Sequence, residues 1–287
     1  MVKNITAKTL QGFSIFGYAE DEIFSLIGKD DRFFEQSILD AWLPFAQQSK
    51  TILDVGANLG NHSIYFAAKT NASQIISFEP CKPSYDLLVH NISANSLSSR
   101  IHCVNMAIGS KKGLVCPARG VHLNQLGNVR YQYVCTAAEQ DAVSDNNKLR
   151  DNDNTKEFHQ VYATTLDDYI KENGINDIGF VKIDTEGFGW ETIRGMQQII
   201  ERDKPGIWIE LDPEEASPTA AFLEQHGYYL HDIKLMNCLF LHPDRFTDSR
   251  QLSTAILLER ILKKTDEALD WQILYQKLNS SKENPEP

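Results

Sequence analysis

Two groups of residues in this sequence have the types and spacing to do chemistry. The first lies in Thr51-Ile-Leu-Asp-Val-Gly-Ala-Asn-Leu-Gly-Asn-His62, followed by Gln74-Ile-Ile-Ser-Phe-Glu79. Gly56 and Gly60 let a backbone approach a ligand closely, and a helix starting near Asn61 offers free N–H groups. An acid such as Glu79, ending the next apolar run, can accept hydrogen bonds from ribose hydroxyls. The second group is Val181-Lys-Ile-Asp184-Thr-Glu186-Gly187-Phe188, with Glu210 ending a later apolar run. Three acids at adjoining strand ends would hold a sulfonium, raise one carboxyl pKa to make a base, or bind a divalent metal.

The first turn discriminates between nucleoside ligands. It reads Asp54-x-Gly56-x-Asn58-x-Gly60 and lacks the G-x-G-x-x-G that crowds a pyrophosphate. A leading Asp repels a pyrophosphate but suits a ligand carrying an ammonium and a sulfonium. S-adenosylmethionine (SAM) is such a ligand. Its amino-acid end is expected at Asp54, Gly56, Ala57, Asn58, Gly60 and Asn61, its ribose at Glu79, and its adenine at Asn105, Met106 and Ala107. The plainer reading is a strand–turn–helix with two structural glycines.

The elements that must position these groups follow from pattern. Ile52–Val55, Ile75–Phe78, Ile101–Ala107, Phe180–Asp184 and Gly206–Leu211 read as strands. They alternate with helices at Asn61–Lys69, Pro83–Asn95, Phe188–Arg202 and Thr219–His226. This rhythm predicts an α/β fold with a mostly parallel sheet and helices on both faces. Tyr228–Ile233 and Cys238–Leu241 are expected as a last antiparallel pair, and Val161–Leu166 as a strand resuming the core after an inserted segment. In such sheets ligands bind beyond the carboxyl ends of the strands, which is where Asp184, Glu186 and Glu210 fall.

Residues 1–50 form a covering segment, with short strands and then a helix from Phe33 to Phe45. Residues 51–250 are the core, interrupted at 108–160 by a hairpin and a polar loop that reads as solvated surface or, alternatively, as a lid. Residues 251–287 show helical spacing. The tail packs on its own domain or, in the alternative reading, forms a homodimer contact.

Composition narrows the partners. The chain has 287 residues and a net charge of −11, which disfavours nucleic acid as substrate. Its hydrophobic content of 42% supports a sizeable core. Five cysteines without a C-x-x-C read as reduced thiols of a cytoplasmic protein and argue against a zinc site. The N-terminus lacks an apolar signal region, and no apolar run reaches membrane-spanning length, so a soluble chain is expected.

Taken together, Asp54-Val-Gly-Ala-Asn-Leu-Gly60, Phe78-Glu-Pro80, Asn105-Met-Ala-Ile-Gly109, Thr165-Leu-Asp-Asp168, Lys182-Ile-Asp-Thr-Glu-Gly-Phe188 and Ile209-Glu-Leu211 resemble the FkbM-type SAM-dependent methyltransferases. The resemblance implies a class I methyltransferase (Rossmann-like) fold of seven strands with an antiparallel final strand. It also implies O-methylation of hydroxyls on sugars, glycans or natural products. Many relatives carry an acid and a long aliphatic residue after Glu-Gly-Phe, where this chain has Gly189 and Trp190. Trp190 either stacks on an acceptor ring or packs in the core.

In this reading SAM is already activated, so the protein must align an acceptor oxygen and receive its proton. Asp184 is the first candidate base, Glu186 the second and His62 the third. Glu186 alternatively answers a helix dipole. Glu210 and Trp190 are placed on the substrate side, and no metal ligand set is assigned. Lys182 alternates with Asp184 along its strand and so shares its face. Rival functions are N-methylation of a protein or RNA, a non-catalytic binding protein of the same fold, and a nicotinamide oxidoreductase. The missing glycine fingerprint counts against the last.

Overall fold

The computed structural model describes residues 4–117, 131–133, 149–150, 157–158 and 161–247. The polar loop expected at 137–160 lies almost wholly outside these residues, and the tail at 251–287 entirely so.

A seven-stranded sheet forms the centre. Its strands are β3 (Thr51–Val55), β4 (Gln74–Phe78), β5 (Ile101–Val104), β12 (Ile178–Ile183), β13 (Gly206–Glu210), β14 (Tyr229–Lys234) and β15 (Asn237–Leu241). The spatial order is β14-β15-β13-β12-β3-β4-β5. Pairs from β5 to β13 are parallel, and β15 runs antiparallel to both β13 and β14. This is the doubly wound arrangement expected from the alternation, with the chain reversing direction across the sheet between β3 and β12.

Side-chain alternation sorts the core into two layers. Ile52, Ile75, Phe180 and Trp208 face one layer, beneath helices α2 (Gln36–Ala46), α3 (Asn61–Lys69) and α4 (Lys82–Ala94). Leu53, Ile76, Val181 and Ile207 face the other. There they meet α5 (Leu166–Glu172), α6 (Gly189–Arg194), α7 (Gln197–Asp203) and α8 (Pro213–Gln225). The parallel strands are buried on both faces, so they carry apolar runs rather than half-polar ones.

The N-terminal residues build a hairpin, β1 (Ile5–Leu10) and β2 (Phe13–Tyr18), and a short helix, α1 (Glu22–Leu26). Two asparagines dock the hairpin on α4. Asn91 and Asn95 each accept from and donate to the backbone of Phe16 and Ser14, as a neighbouring strand would. Lys8 then donates to the Phe24, Ser25 and Ile27 carbonyls at 2.6–2.8 Å and holds the end of α1.

Four expectations need correction. Ile101–Ala107 is not one strand: it breaks after Val104, and Ala107–Ile108 (β6) joins a second sheet. That sheet, ordered β6-β11-β7-β8, also holds β7 (Gly113–Pro117), β8 (Tyr131–Tyr133) and β11 (Val161–Thr164). β11 therefore belongs beside the inserted hairpin and not to the central sheet. Among the described residues, β9 (Leu149–Arg150) and β10 (Glu157–Phe158) pair with each other. The helix expected over Phe188–Arg202 is two helices. Gly195 ends the first, and a Cβ on it would lie 2.0 Å from the Gly109 carbonyl oxygen, so only glycine fits there. Asp167 accepts from the Gln198 and Ile199 N–H groups at the start of the second helix. The last correction is that α8 begins at Pro213 rather than Thr219, with its proline in the tolerated first turn.

Candidate active site

The sheet register lines up two rows of polar residues on the α3 side. Along one row Ser77 pairs with Asp54, Asp54 with Lys182, and Lys182 with Trp208. Two residues farther along each strand stand Glu79, Gly56 and Asp184, just beyond the strand ends, and Glu210, the last residue of β13. The inner row is buried under α3, and the outer row faces the crevice that the switch in chain direction opens.

Asp54 belongs to the inner row, and this corrects its expected role. Its carboxylate is fully buried, accepts from Ser63 Oγ at 2.5 Å and lies 3.5 Å from Lys182 Nζ. It stands beneath the cleft and not on its wall, because the two-residue period turns it towards the helix. Lys182 is itself 1% exposed and reaches Asp184 Oδ2 at 3.2 Å. Burial pushes its ammonium down. The charges of Asp184, Asp54 and Glu35 outweigh that and hold it above the ordinary lysine range.

Gly56, Glu79 and Asp184 of the outer row line a cleft of about 610 Å³ of empty space, mouth included, while Glu210, expected on the substrate side, is not among its lining residues. Gly56, Asn58, Glu79, Met106, Ala107, Asp184 and Glu186 line it, together with Thr185, Phe188, Ile108 and Ile23 of α1. Gly56 has φ +78° and sits so close to β12 that a Cβ would fall 1.7 Å from the Asp184 carbonyl oxygen. Only glycine fits there. Glu186 and Gly187 both take left-handed φ, at 52° and 83°, turning the chain at the cleft wall.

Glu79 is held from both sides. Its Oε2 accepts from the Asn58 N–H and its Oε1 from the Cys81 N–H, each at 2.8 Å. Each oxygen keeps a lone pair for a further donor. Burial pushes the carboxyl up to about 7, against the opposing pull of those two N–H groups.

Asp184 and Glu210 share a hydrogen bond and titrate apart. Burial pushes Asp184 up, but the Lys182 charge, the Glu210 hydrogen bond and His62 together hold it below the usual carboxylate range. The Asp184 charge, then burial, lifts Glu210 to about 10. At neutral pH the pair therefore shares one proton and carries one negative charge.

Several expected site residues stand away from the cleft wall. A Cβ on Gly60 would meet Leu88 at 2.9 Å, so this glycine serves the packing of α3 on α4. Ala57 is buried, and its N–H goes to the Phe78 carbonyl. Asn61 exchanges hydrogen bonds with the Phe34 backbone at 3.0 and 3.1 Å. Asn105 donates to the Glu79 and Pro80 carbonyls and braces the backbone there. Trp190 packs edge-on against Phe222 at 5.7 Å, with the Arg194 guanidinium 6.0 Å from its ring. It takes the packing role, because its helix turns it towards α8. His62 is buried with Nε2 3.2 Å from Glu35 Oε2. Among the described residues no group of three or more His, Cys, Asp or Glu is arranged to hold a metal ion. No described helix is long and apolar enough to cross a membrane.

The cleft fits SAM on its own geometry. A glycine-only approach, a buried acid with spare lone pairs, and an excess of carboxylates match a nucleoside ligand that carries positive charge.

Comparison with known proteins agrees. Residues 54–230 match the model of the methyltransferase FkbM domain, more than half of the chain. A methyltransferase named sdnD from Sordaria araneosa is 22% identical over 156 residues, covering 51% of this chain and 60% of that protein. A tRNA1(Val) (adenine(37)-N6)-methyltransferase from Flavobacterium johnsoniae is 27% identical over 96 residues, covering 33% of this chain and 39% of that one. The chain thus spans less than two thirds of the length of these relatives. Among solved structures, methyltransferase FkbM from Methylobacillus flagellatus KT aligns with a TM-score of 0.44 and 15% identity, over 68% of this chain and 44% of that one. With the family model spanning residues 54–230, the chain belongs to the FkbM methyltransferase family.

Proposed function

We propose that this chain is a SAM-dependent methyltransferase that modifies a hydroxyl oxygen of a small-molecule or glycan acceptor. The observation that carries the reading is Asp184: a carboxylate kept ionised by Lys182, on the wall of the cleft that Gly56 and Glu79 also line.

When bound, SAM supplies a methyl group already activated on a sulfonium. The residues do the rest. Glu79 accepts hydrogen bonds from the ribose hydroxyls, and Met106 and Ala107 flank the adenine. Gly56 and Asn58 leave room for the amino-acid end. Asp184, Glu186 and Glu79 favour a cation over an anion in the cleft. Asp184 receives the acceptor hydroxyl proton on a carboxylate oxygen, and Glu210 hydrogen-bonds the neighbouring charge. Glu186 is the alternative base on the same wall. Alignment of the acceptor supplies on the order of 7–11 kcal/mol in favourable cases, and a positioned base a further factor of about 100–10,000. The net charge of −11 favours an uncharged acceptor over a polynucleotide.

The test is transfer of a radiolabelled methyl group from SAM to a panel of glycosides, oligosaccharides, hydroxylated polyketides, peptides and tRNA transcripts. Ether formation on a hydroxylated acceptor is the expected result. Label confined to tRNA or peptide nitrogen would overturn the hydroxyl assignment.

A further inference from the structure

Among the described residues that line the cleft, one precedes the family match: Ile23, on α1. The apolar lining is divided between the layers of the fold. Val55, Phe78 and Ile108 belong to the layer of α5–α8, and Ala107 and Phe188 pack in a small cluster beside the second sheet. Ile23 packs against the other layer, that of α2–α4. It therefore brings apolar surface to the cleft from the α2–α4 side. Phe24, the next residue, is 1% exposed, while Ile23 is half-buried. α1 thus sinks Phe24 into the core and leaves part of Ile23 open to whatever fills the cleft.

A five-residue helix does not hold itself in place, and the fold supplies the anchors. Asp21 caps the start of α1, where it accepts from the Phe24 N–H at 2.8 Å. Lys8 on β1 satisfies three carbonyls at the other end, with its ammonium 4.7 Å from the Phe24 ring centre. Gly17 on β2 makes room for that ring, since a Cβ there would lie 2.3 Å from it. Asn91 then ties the hairpin to the cofactor turn. This fully buried side chain accepts from the Phe16 N–H at 2.7 Å and donates to the Phe16 carbonyl at 3.0 Å and the Leu59 carbonyl at 2.8 Å. Leu59 belongs to the Gly56–Gly60 turn, whose Gly56 and Asn58 line the cleft. One amide thus fixes the hairpin that carries α1 to the turn that α1 faces.

We infer that Ile23 contacts the bound cofactor and covers it from the α2–α4 side, and that Lys8 is the positioning residue that holds α1, and so Ile23, in place. The inference rests on the reading of the cleft as the SAM site. Apolar contact removes water from the ligand and from the side chain together. A drier cleft also strengthens the attraction between its carboxylates and a sulfonium. By linkage, a contact that holds α1 raises cofactor affinity, and bound cofactor holds α1 by the same factor.

Calorimetric titration of S-adenosylhomocysteine into the full chain and its variants tests both roles without turnover, each variant being shown to be folded by its unfolding transition. Ile23→Ala should weaken binding about tenfold or more, and Ile23→Leu by less than about threefold. Lys8→Met should weaken it about three- to tenfold, and Lys8→Arg should restore it at least in part. Because Lys8 acts through Ile23, Lys8→Met should cost less than about twofold in the Ile23→Ala background. A merely structural role for Lys8 would leave the two effects additive. In hydrogen exchange, saturating S-adenosylhomocysteine should slow the α1 amides of wild type by about tenfold. Wild-type affinity in folded Ile23→Ala, or α1 exchange that ignores the ligand, overturns the contact. Additive losses overturn the role of Lys8. No binding of S-adenosylhomocysteine by wild type would overturn the cofactor reading and this inference with it, whereas the variant outcomes overturn this inference alone.

Discussion

Lys182 Nζ lies 3.2 Å from Asp184 Oδ2 and bridges across the sheet to Asp54 Oδ1 at 3.5 Å. One buried cation thus joins the acid beneath the cleft to the acid on its wall. The strand register requires it, since Lys182 pairs with Asp54 on β3 and precedes Asp184 by one full pleat.

Removing that cation should be costly. Lys182→Met leaves Asp54 and Asp184 without their shared partner in a buried setting. We expect a loss of about 3–5 kcal/mol of stability, the usual cost of breaking a buried ion pair from one side. Urea unfolding checks it, and a change below about 1 kcal/mol would mean that solvent or Ser63 compensates.

Asp184→Asn should separate chemistry from binding. Turnover is expected to fall by about 100–10,000-fold, with S-adenosylhomocysteine affinity changed by less than about threefold. Without the neighbouring charge Glu210 should ionise at neutral pH, which carboxyl infrared spectroscopy of the variant can detect. Wild-type turnover in Asp184→Asn would transfer the base role to Glu186.

The Glu79 carboxyl predicts a pH dependence of nucleoside binding. It is pushed up to about 7 by burial, so it is largely protonated at pH 6 and largely ionised at pH 8. An ionised carboxylate accepts ribose hydrogen bonds better than a carboxylic acid does. Affinity should therefore rise with pH, by up to roughly tenfold between pH 6 and 8. Adenosine is the suitable probe, because it does not titrate in that range. A flat profile by calorimetry would mean that Glu79 does not face the ribose.

Trp190→Ala should act on stability alone. Its ring packs on Phe222 and Arg194, outside the cleft lining. We expect a loss of about 2–4 kcal/mol in unfolding, with the KM for acceptor unchanged. A raised KM at wild-type stability would restore the ring-stacking role.

The legible part of the site was the part written in strand ends and turns. Glu79, Asp184 and Glu186 end or follow apolar runs, and the fold places such positions at the crevice. Gly56 and Asn58 sit in a turn whose composition already called for close backbone approach. The errors have physical causes. Asp54 looks like a turn residue, but the two-residue strand period places it with Lys182 on the buried α3 face. Gly60 and Gly56 look equivalent in sequence, yet one admits Asp184 and the other admits Leu88. Trp190 could not be oriented without knowing that the helix breaks at Gly195. Ile23 carried no local signal, because its approach to the site depends on a hairpin docked on α4 through Asn91 and Asn95.

Calorimetric titration of SAM into the wild-type protein and Glu79→Ala bears most directly on the central claim, that the crevice between Gly56 and Glu79 holds the cofactor. Loss of two charge-assisted hydrogen bonds should weaken binding by on the order of 100-fold or more, in a variant shown by its unfolding transition to be folded. Wild-type affinity in folded Glu79→Ala, or no SAM binding to the wild-type protein, would contradict it.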